Sequence, residues 1–121
     1  SQKRFIERLL DYLIIPVCIM NKSYSALYMN SRFVSLFGQP IQQKIPEGGL
    51  DFTTIPEMRT FIDEIRKKIS QNPGDFTFTV PISGDNVISF KCRPVRNTAL
   101  ALETVIIAGG VAPTGKDDPV P

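Results

Sequence analysis

The sequence predicts an α+β domain: a five-stranded antiparallel sheet, helices inserted after the second strand, and an amphipathic helix in front. Three observations carry this expectation. Apolar residues recur at helical spacing twice, over residues 5–13 and 58–69. A short hairpin pattern lies between those stretches, over residues 17–29. After residue 75 the period drops to two, with Phe76, Phe78 and Val80 alternating with Thr77 and Thr79. Strands grouped around helices, rather than alternating with them one by one, belong to the α+β class. At 121 residues the chain is one domain in size and long enough to bury a core without metal or disulfides.

Each element has a local reason. Phe5, Ile6, Leu9, Leu10 and Leu13 form one stripe, with Lys3, Arg4, Glu7, Arg8 and Asp11 between them. Pro16 ends this helix, expected over residues 1–14, and pushes Ile15 toward extended geometry. Val17 to Met20 reads as the first strand, Asn21 to Ser25 as a polar turn, and Ala26 to Met29 as the second strand. Asn30 or Ser31 can cap a short helix whose apolar face is Phe33, Val34, Leu36 and Phe37, and which Gly38 and Pro40 end. Residues 39–55 hold Pro40, Pro46, Gly48 and Gly49, so they read as irregular, with room for one helical turn within 41–45.

The longest helix follows. Thr53 or Thr54 is its expected cap, with Pro56 in the first turn and the stripe Met58, Phe61, Ile62, Ile65 and Ile69 behind it. Asp63 and Glu64 stand four residues before Lys67 and Lys68, a spacing suited to ion pairs on its exposed side. Asn72-Pro73-Gly74 stops it. Past the alternating strand at 76–80, residues 83–86 read as a turn. Ile88, Phe90 and Cys92 then alternate with Ser89, Lys91 and Arg93, and a loop is expected to begin at Arg96. Residues 103–108 form the last strand, where unbroken Val105-Ile106-Ile107 suggests cover on both faces. The expected domain is 1–111. Residues 112–121, rich in proline with two adjacent Asp, read as a flexible tail or linker. A start without Met and this tail give the chain the look of an excerpt from a larger protein.

Composition removes whole classes of chemistry. The chain has no His, which excludes Ser-His-Asp and Cys-His catalysis, His-ligated haem and His-containing zinc sites. Two Cys cannot build a Cys₄ site, so no metal site is expected. No paired carboxylates or phosphate loop stand out, and no enzymatic activity is expected. A net charge of +2 gives no electrostatic case for nucleic-acid binding. The apolar run Leu13 to Met20 is broken by Pro16 and far shorter than the roughly 20 residues of a membrane span, so no membrane contact is expected. Cys18 and Cys92 lie in apolar strand-like segments. They read as buried free thiols in a reducing compartment, hence a cytoplasmic location.

Leu9-Leu10 to Pro16, the strand Val17-Cys18-Ile19-Met20-Asn21, then Tyr28-Met29-Asn30, and finally Phe33, Leu36 and Gly38 resemble the opening of a PAS domain. The resemblance covers about residues 3–111 and rests on the order and lengths of elements more than on any one motif. It departs in three places. Asn21 replaces the usual Asp, and Tyr24 replaces the usual hairpin Gly, which implies a different or wider turn. Gly109-Gly110-Val111-Ala112-Pro113 stands where an Asp-Ile-Thr exit is common, which puts helical output from that end in doubt.

The resemblance implies a sensory or regulatory module of a multidomain signalling protein, a sensor kinase or similar, that senses a small ligand or mediates dimerisation. The alternative is a ligand-free protein-interaction domain in a transcription regulator. Tyr28, Phe33, Leu36, Phe37, Ile62, Ile65, Phe78, Phe90 and Cys92 are the candidate lining of a ligand pocket between sheet and helices. The same residues can equally fill a dry core. Phe5, Ile6, Leu9, Leu10 and Leu13 are the candidate homodimer interface, against packing of that helix on its own sheet. Lys91, Arg93 and Arg96 lie on or beside an outward strand face, free to be a solvated surface or a site for an acidic partner. The cofactor is open. Residues 39–50 hold no Cys for covalent flavin photochemistry, and no His is present to ligate haem. The expected partners are a second copy, an effector domain in the same full-length chain, and a small molecule.

Overall fold

The computed structural model describes residues 4, 5, 9, 15–37, 45–83 and 86–109, with the side chains of 82, 83 and 86 left aside. The helix-ending Gly38 and Pro40, the possible turn within 41–45, the core of the 83–86 turn and the 112–121 tail lie outside the described residues. Strands β1 (Val17–Asn21), β2 (Ser25–Met29), β3 (Leu50–Asp51), β4 (Phe76–Ser83), β5 (Asn86–Arg96) and β6 (Leu102–Gly109) form one antiparallel sheet. Their order is β3-β2-β1-β6-β5-β4. A short helix (Ser31–Phe37) and a long helix (Arg59–Gln71) follow the second strand, as the pattern predicts, with two 3-10 turns (Phe52–Thr54 and Pro56–Met58) ahead of the long one.

Period decides which side chains enter the core. Cys18, Met20, Ala26 and Met29 face inward from β1 and β2, and Val105 and Ile107 from β6. Phe78 and Val80 of β4 and Phe90 and Cys92 of β5 continue the layer. Above it sit Phe33 of the short helix, Phe52 and Met58 of the 3-10 turns, and Phe61, Ile62, Ile65 and Ile69 of the long helix. The stripe read from spacing is thus the buried face of the long helix.

Asn30 joins three pieces of this frame. Its Oδ1 accepts from Val17 N at 2.9 Å and from Phe33 N at 3.0 Å, and its Nδ2 donates to Ile15 O at 2.9 Å. One amide therefore caps the short helix, holds the start of β1 and fixes the end of β2. Asn30 is fully buried, and these bonds offset the cost of burying it.

The structure corrects several expectations. The sheet has six strands, because Leu50–Asp51 pairs with Ser25 and Ala26. Two residues carry no periodicity to read. The pairing depends on Gly49, at φ 103°, where an added Cβ would lie 2.9 Å from Ser25 Cβ. The residues expected to cap the long helix open a 3-10 turn instead, capped by Asp51, whose Oδ1 accepts from Thr53 N at 2.9 Å. Pro56 opens the second 3-10 turn, and the α-helix begins only at Arg59 with no side-chain cap. Lys67 and Lys68 form no ion pair with Asp63 or Glu64 among the described residues.

The β1–β2 turn keeps left-handed backbone without a glycine. Tyr24 itself adopts φ 66°, with its N–H donating to Asn21 O at 2.9 Å. Asn21 Oδ1 accepts from Ser23 N and Ser25 N, so the side chain of Asn21 rather than a glycine shapes the turn. In β6, Val105 and Ile107 are buried but Thr104, Ile106 and Ala108 are half-exposed, so the outer face is only partly covered. The strand expected to end before Arg96 runs through it. Asn97 then closes the β5–β6 turn, accepting from Ala99 N and Ala101 N through its side chain.

Asn30→Ala removes both acceptor bonds and the donor at once. It is expected to lower unfolding stability by about 2–4 kcal/mol, since orphaned buried backbone groups cost about 1–3 kcal/mol each. Urea denaturation followed by circular dichroism measures it; a loss under the cost of one bond would contradict the bracing role.

Candidate functional site

The space between sheet and helices is occupied by phenylalanine. Every phenylalanine of the chain except Phe5 belongs to one network of ring contacts. Phe61 is its hub. Its ring lies 5.6 Å from Phe33, 5.4 Å from Phe37, 6.2 Å from Phe52, 5.9 Å from Phe78 and 5.5 Å from Phe90. Most of these pairs are tilted or edge-on, the arrangement the ring quadrupole favours. Phe78 and Phe90, opposite each other in the β4–β5 ladder, stack at 5.6 Å.

Of the candidate pocket residues, Phe33, Ile62, Ile65, Phe78, Phe90 and Cys92 meet here, all buried. Leu36 and Phe37 pack against the same core half-exposed. Tyr28 does not join them. The β1–β2 ladder shifts register between Ile19 and Met20, leaving Leu27 as an extra residue, so Ala26 and Met29 both turn inward. Tyr28 pairs with Ile19 on the outer face. A bulge moves every alternation count by one, and a four-residue strand gives no means of seeing it. Phe52, Met58 and Phe61 belong to the cluster but not to the sequence-based lining. Phe61 and Met58 were visible in the helix stripe, whereas Phe52 sits in a segment without period.

Both thiols lie in the same inner row. Cys18 and Cys92 each pair with Ile107 from opposite sides, two strands apart. That is about 10 Å, too far for a disulfide. Burial pushes the Cys18 thiol up, and burial with a smaller contribution from Asp75 pushes Cys92 up to about 12. Both are therefore protonated at neutral pH in the folded chain, which lowers their reactivity as nucleophiles.

The outer face differs in character. Lys91, Arg93, Ile106 and Ala108 line a shallow groove of about 230 Å³ with an apolar floor and basic rim. The Arg93 side chain reaches Asp75 at 2.8 Å, and this contact holds the Asp75 carboxyl below its usual pKa. Arg96 separates from that pair. It shares the parity of Phe90 and Cys92 in β5 and so stands on the helix side, where Nη2 donates to Ile69 O at 3.4 Å and Nη1 to Leu100 O at 3.3 Å. Of the candidate dimer residues, Phe5 and Leu9 are helical and 61% and 49% exposed; Ile6, Leu10 and Leu13 lie outside the described residues. Among the described residues no group of three or more Cys, Asp or Glu could hold a metal, and no helix is long and apolar enough to cross a membrane.

No protein-family model and no curated protein sequence matches this chain. Solved structures do. A PAS domain from Colwellia psychrerythraea superposes with a TM-score of 0.62 at 14% identity, covering 91% of this chain and 96% of that one. A sensory box sensor histidine kinase from Vibrio cholerae gives 0.58 at 14% identity, covering 89% and 90%. A phage VqmA–DPO complex gives 0.63 at 20% identity, covering 95% of this chain but only 56% of that one. The fold is the PAS fold, as the order of elements implied.

Phe61→Ala should lower stability by about 3–5 kcal/mol, the cost of emptying a large aromatic site that cannot collapse. Thermal and urea unfolding measure it. In native protein, Cys18 and Cys92 should both resist a chromogenic disulfide reagent and both react after denaturation; rapid native labelling of Cys92 would contradict its burial as an unreactive thiol.

Proposed function

We propose that this chain is a sensory or regulatory module of a larger signalling protein, non-catalytic itself, that assembles as a homodimer through its N-terminal helical residues. The observation that carries this reading is the position of Phe5. Seven phenylalanines complete the core without it, and Phe5 is left 61% exposed beside Leu9 at 49%. Covering two such side chains returns roughly 1.5–3 kcal/mol each if burial is complete. Ile19, Tyr28 and Ile106, half-exposed on the outer sheet face, give a second copy's helix a surface to meet.

Signal transfer in this reading is a population shift. A change in packing between the long helix and the sheet alters β1 and β6 and, through Pro16, the direction in which the N-terminal helix leaves. The likeness to sensor-kinase PAS domains supports an effector in the same full-length chain. With no His in this piece, a phosphoaccepting histidine would lie in another part of such a protein. Two free buried thiols suit a cytoplasmic setting.

A second reading has an observation of its own. Leu36 and Phe37 stand half-exposed at the edge of the aromatic cluster, a place where a small apolar ligand could slide between the two helices. One fold neighbour was solved as a complex, phage VqmA with DPO. Native mass spectrometry separates the readings: a bound small molecule supports sensing in the core, and the bare chain mass supports assembly.

Sedimentation equilibrium tests the main proposal. The chain should form dimers, and Phe5→Glu with Leu9→Glu should yield monomers with unchanged circular dichroism. A strict monomer at high protein concentration would refute the dimer.

A further inference from the structure

Two residues of the described chain, glycine aside, have left-handed backbone: Tyr24 and Leu100, each at φ 66°. Left-handed geometry is costly for a residue that carries a Cβ. Both sit in hairpin turns, β1–β2 and β5–β6. Because Asn21 pairs with Thr104, those turns lie at one end of the sheet. Leu100 breaks a second rule, since it is 74% exposed. Two strained turns at one end of the sheet, one of them carrying an exposed leucine, are candidates for function rather than accidents of folding.

The surroundings indicate a kind of partner. The Arg66 guanidinium stands 5.4 Å over the Tyr24 ring. Partial burial pushes the Tyr24 hydroxyl pKa up, and the charges of Arg66 and Arg96 act against that. Arg96 also ties the β5–β6 turn to the end of the long helix through Leu100 O and Ile69 O. Beside it runs a groove of about 320 Å³, lined by Ile69, Pro73, Arg96 and Leu100 among others. Arg66 stands three and four residues before Ile69 and Ser70 of that groove, on the same flank of the long helix.

We propose that this end of the domain binds an acidic peptide segment of a partner protein that carries one large apolar side chain. The apolar side chain enters the groove beside Leu100, and its carboxylates meet Arg66 and Arg96. Charge complementarity fixes the sign of the partner, and the exposed Leu100 argues for a protein over a polyanion that offers charge alone. The surface lies opposite the end where Gly109 N donates to Pro16 O at 2.8 Å and the main chain enters and leaves the sheet. It is therefore separate from the dimer surface proposed above and does not depend on it.

The test uses the strain itself. Leu100→Gly suits φ 66° better than leucine, so it should leave the melting temperature equal or higher while removing the anchor. A random peptide library displayed on phage is selected on the wild-type chain and counter-selected on Leu100→Gly. The recovered sequences should be rich in Asp and Glu around one Leu, Ile, Phe or Trp. A synthetic peptide of that sequence should lose about tenfold in affinity with Leu100→Gly, as an interface anchor does. It should lose about threefold with Arg66→Gln, as a rim charge does. Recovery of neutral or basic sequences, no enrichment, or equal binding to Leu100→Gly overturns the proposal. So does tighter binding of a DNA duplex or of phosphatidylserine vesicles than of the selected peptide.

Discussion

The fold turns on one amide. Asn30 is the single fully buried polar residue among those described, and its side chain reaches backbone from before β1, from β1 itself and from the short helix. Each of those segments is short, and none has enough apolar area to fix its own direction. The amide supplies direction where the hydrophobic effect, which has none, cannot. Once it is set, Phe33 points into the cluster and Val17 starts β1 in the register that places Cys18 and Met20 inside. Aspartate at this position would keep the acceptor oxygen but set a second oxygen against Ile15 O, so asparagine is chemically specific here.

The aromatic cluster supplies the bulk that Asn30 orients. A core of interlocking rings is stiff, since each ring must rotate against several others to move. Displacement of Phe61 would be felt in both helices and both C-terminal strands. This suits a domain that passes on changes of packing, because small shifts become discrete rearrangements rather than being absorbed locally.

What the sequence made legible follows the lengths over which a period can be seen. The long-helix stripe and the β4 and β5 alternations run for three or more repeats, and each turned out to be the inward face. The short elements misled. Two-residue β3 has no period, the Leu27 bulge sent Tyr28 to the outer face, and the 3-10 turns displaced the start of the long helix. The Tyr24 turn misled for another reason. Glycine is the cheap solution to left-handed backbone, but Asn21 accepting from Ser23 N and Ser25 N is also a solution, and one with no simple sequence mark. The apolar candidates for the site were largely found because apolar periodicity is what a core needs. The polar end around Arg96 was misassigned, although Arg96 shares the parity of Phe90 and Cys92 in β5 and so stands on the helix side rather than beside Lys91 and Arg93.

Pro16 and Gly109 meet across adjacent antiparallel strands in the middle of the sheet. Mechanically, the domain hangs from a single point. Tension along the chain pulls β1 and β6 apart like a zipper, opening their hydrogen bonds one after another instead of loading them together in shear. Compression or twist applied at that point acts on the two central strands before any other part. As a link in a longer chain the domain adds almost no contour length while folded, and it yields at low force from the middle of its sheet outward.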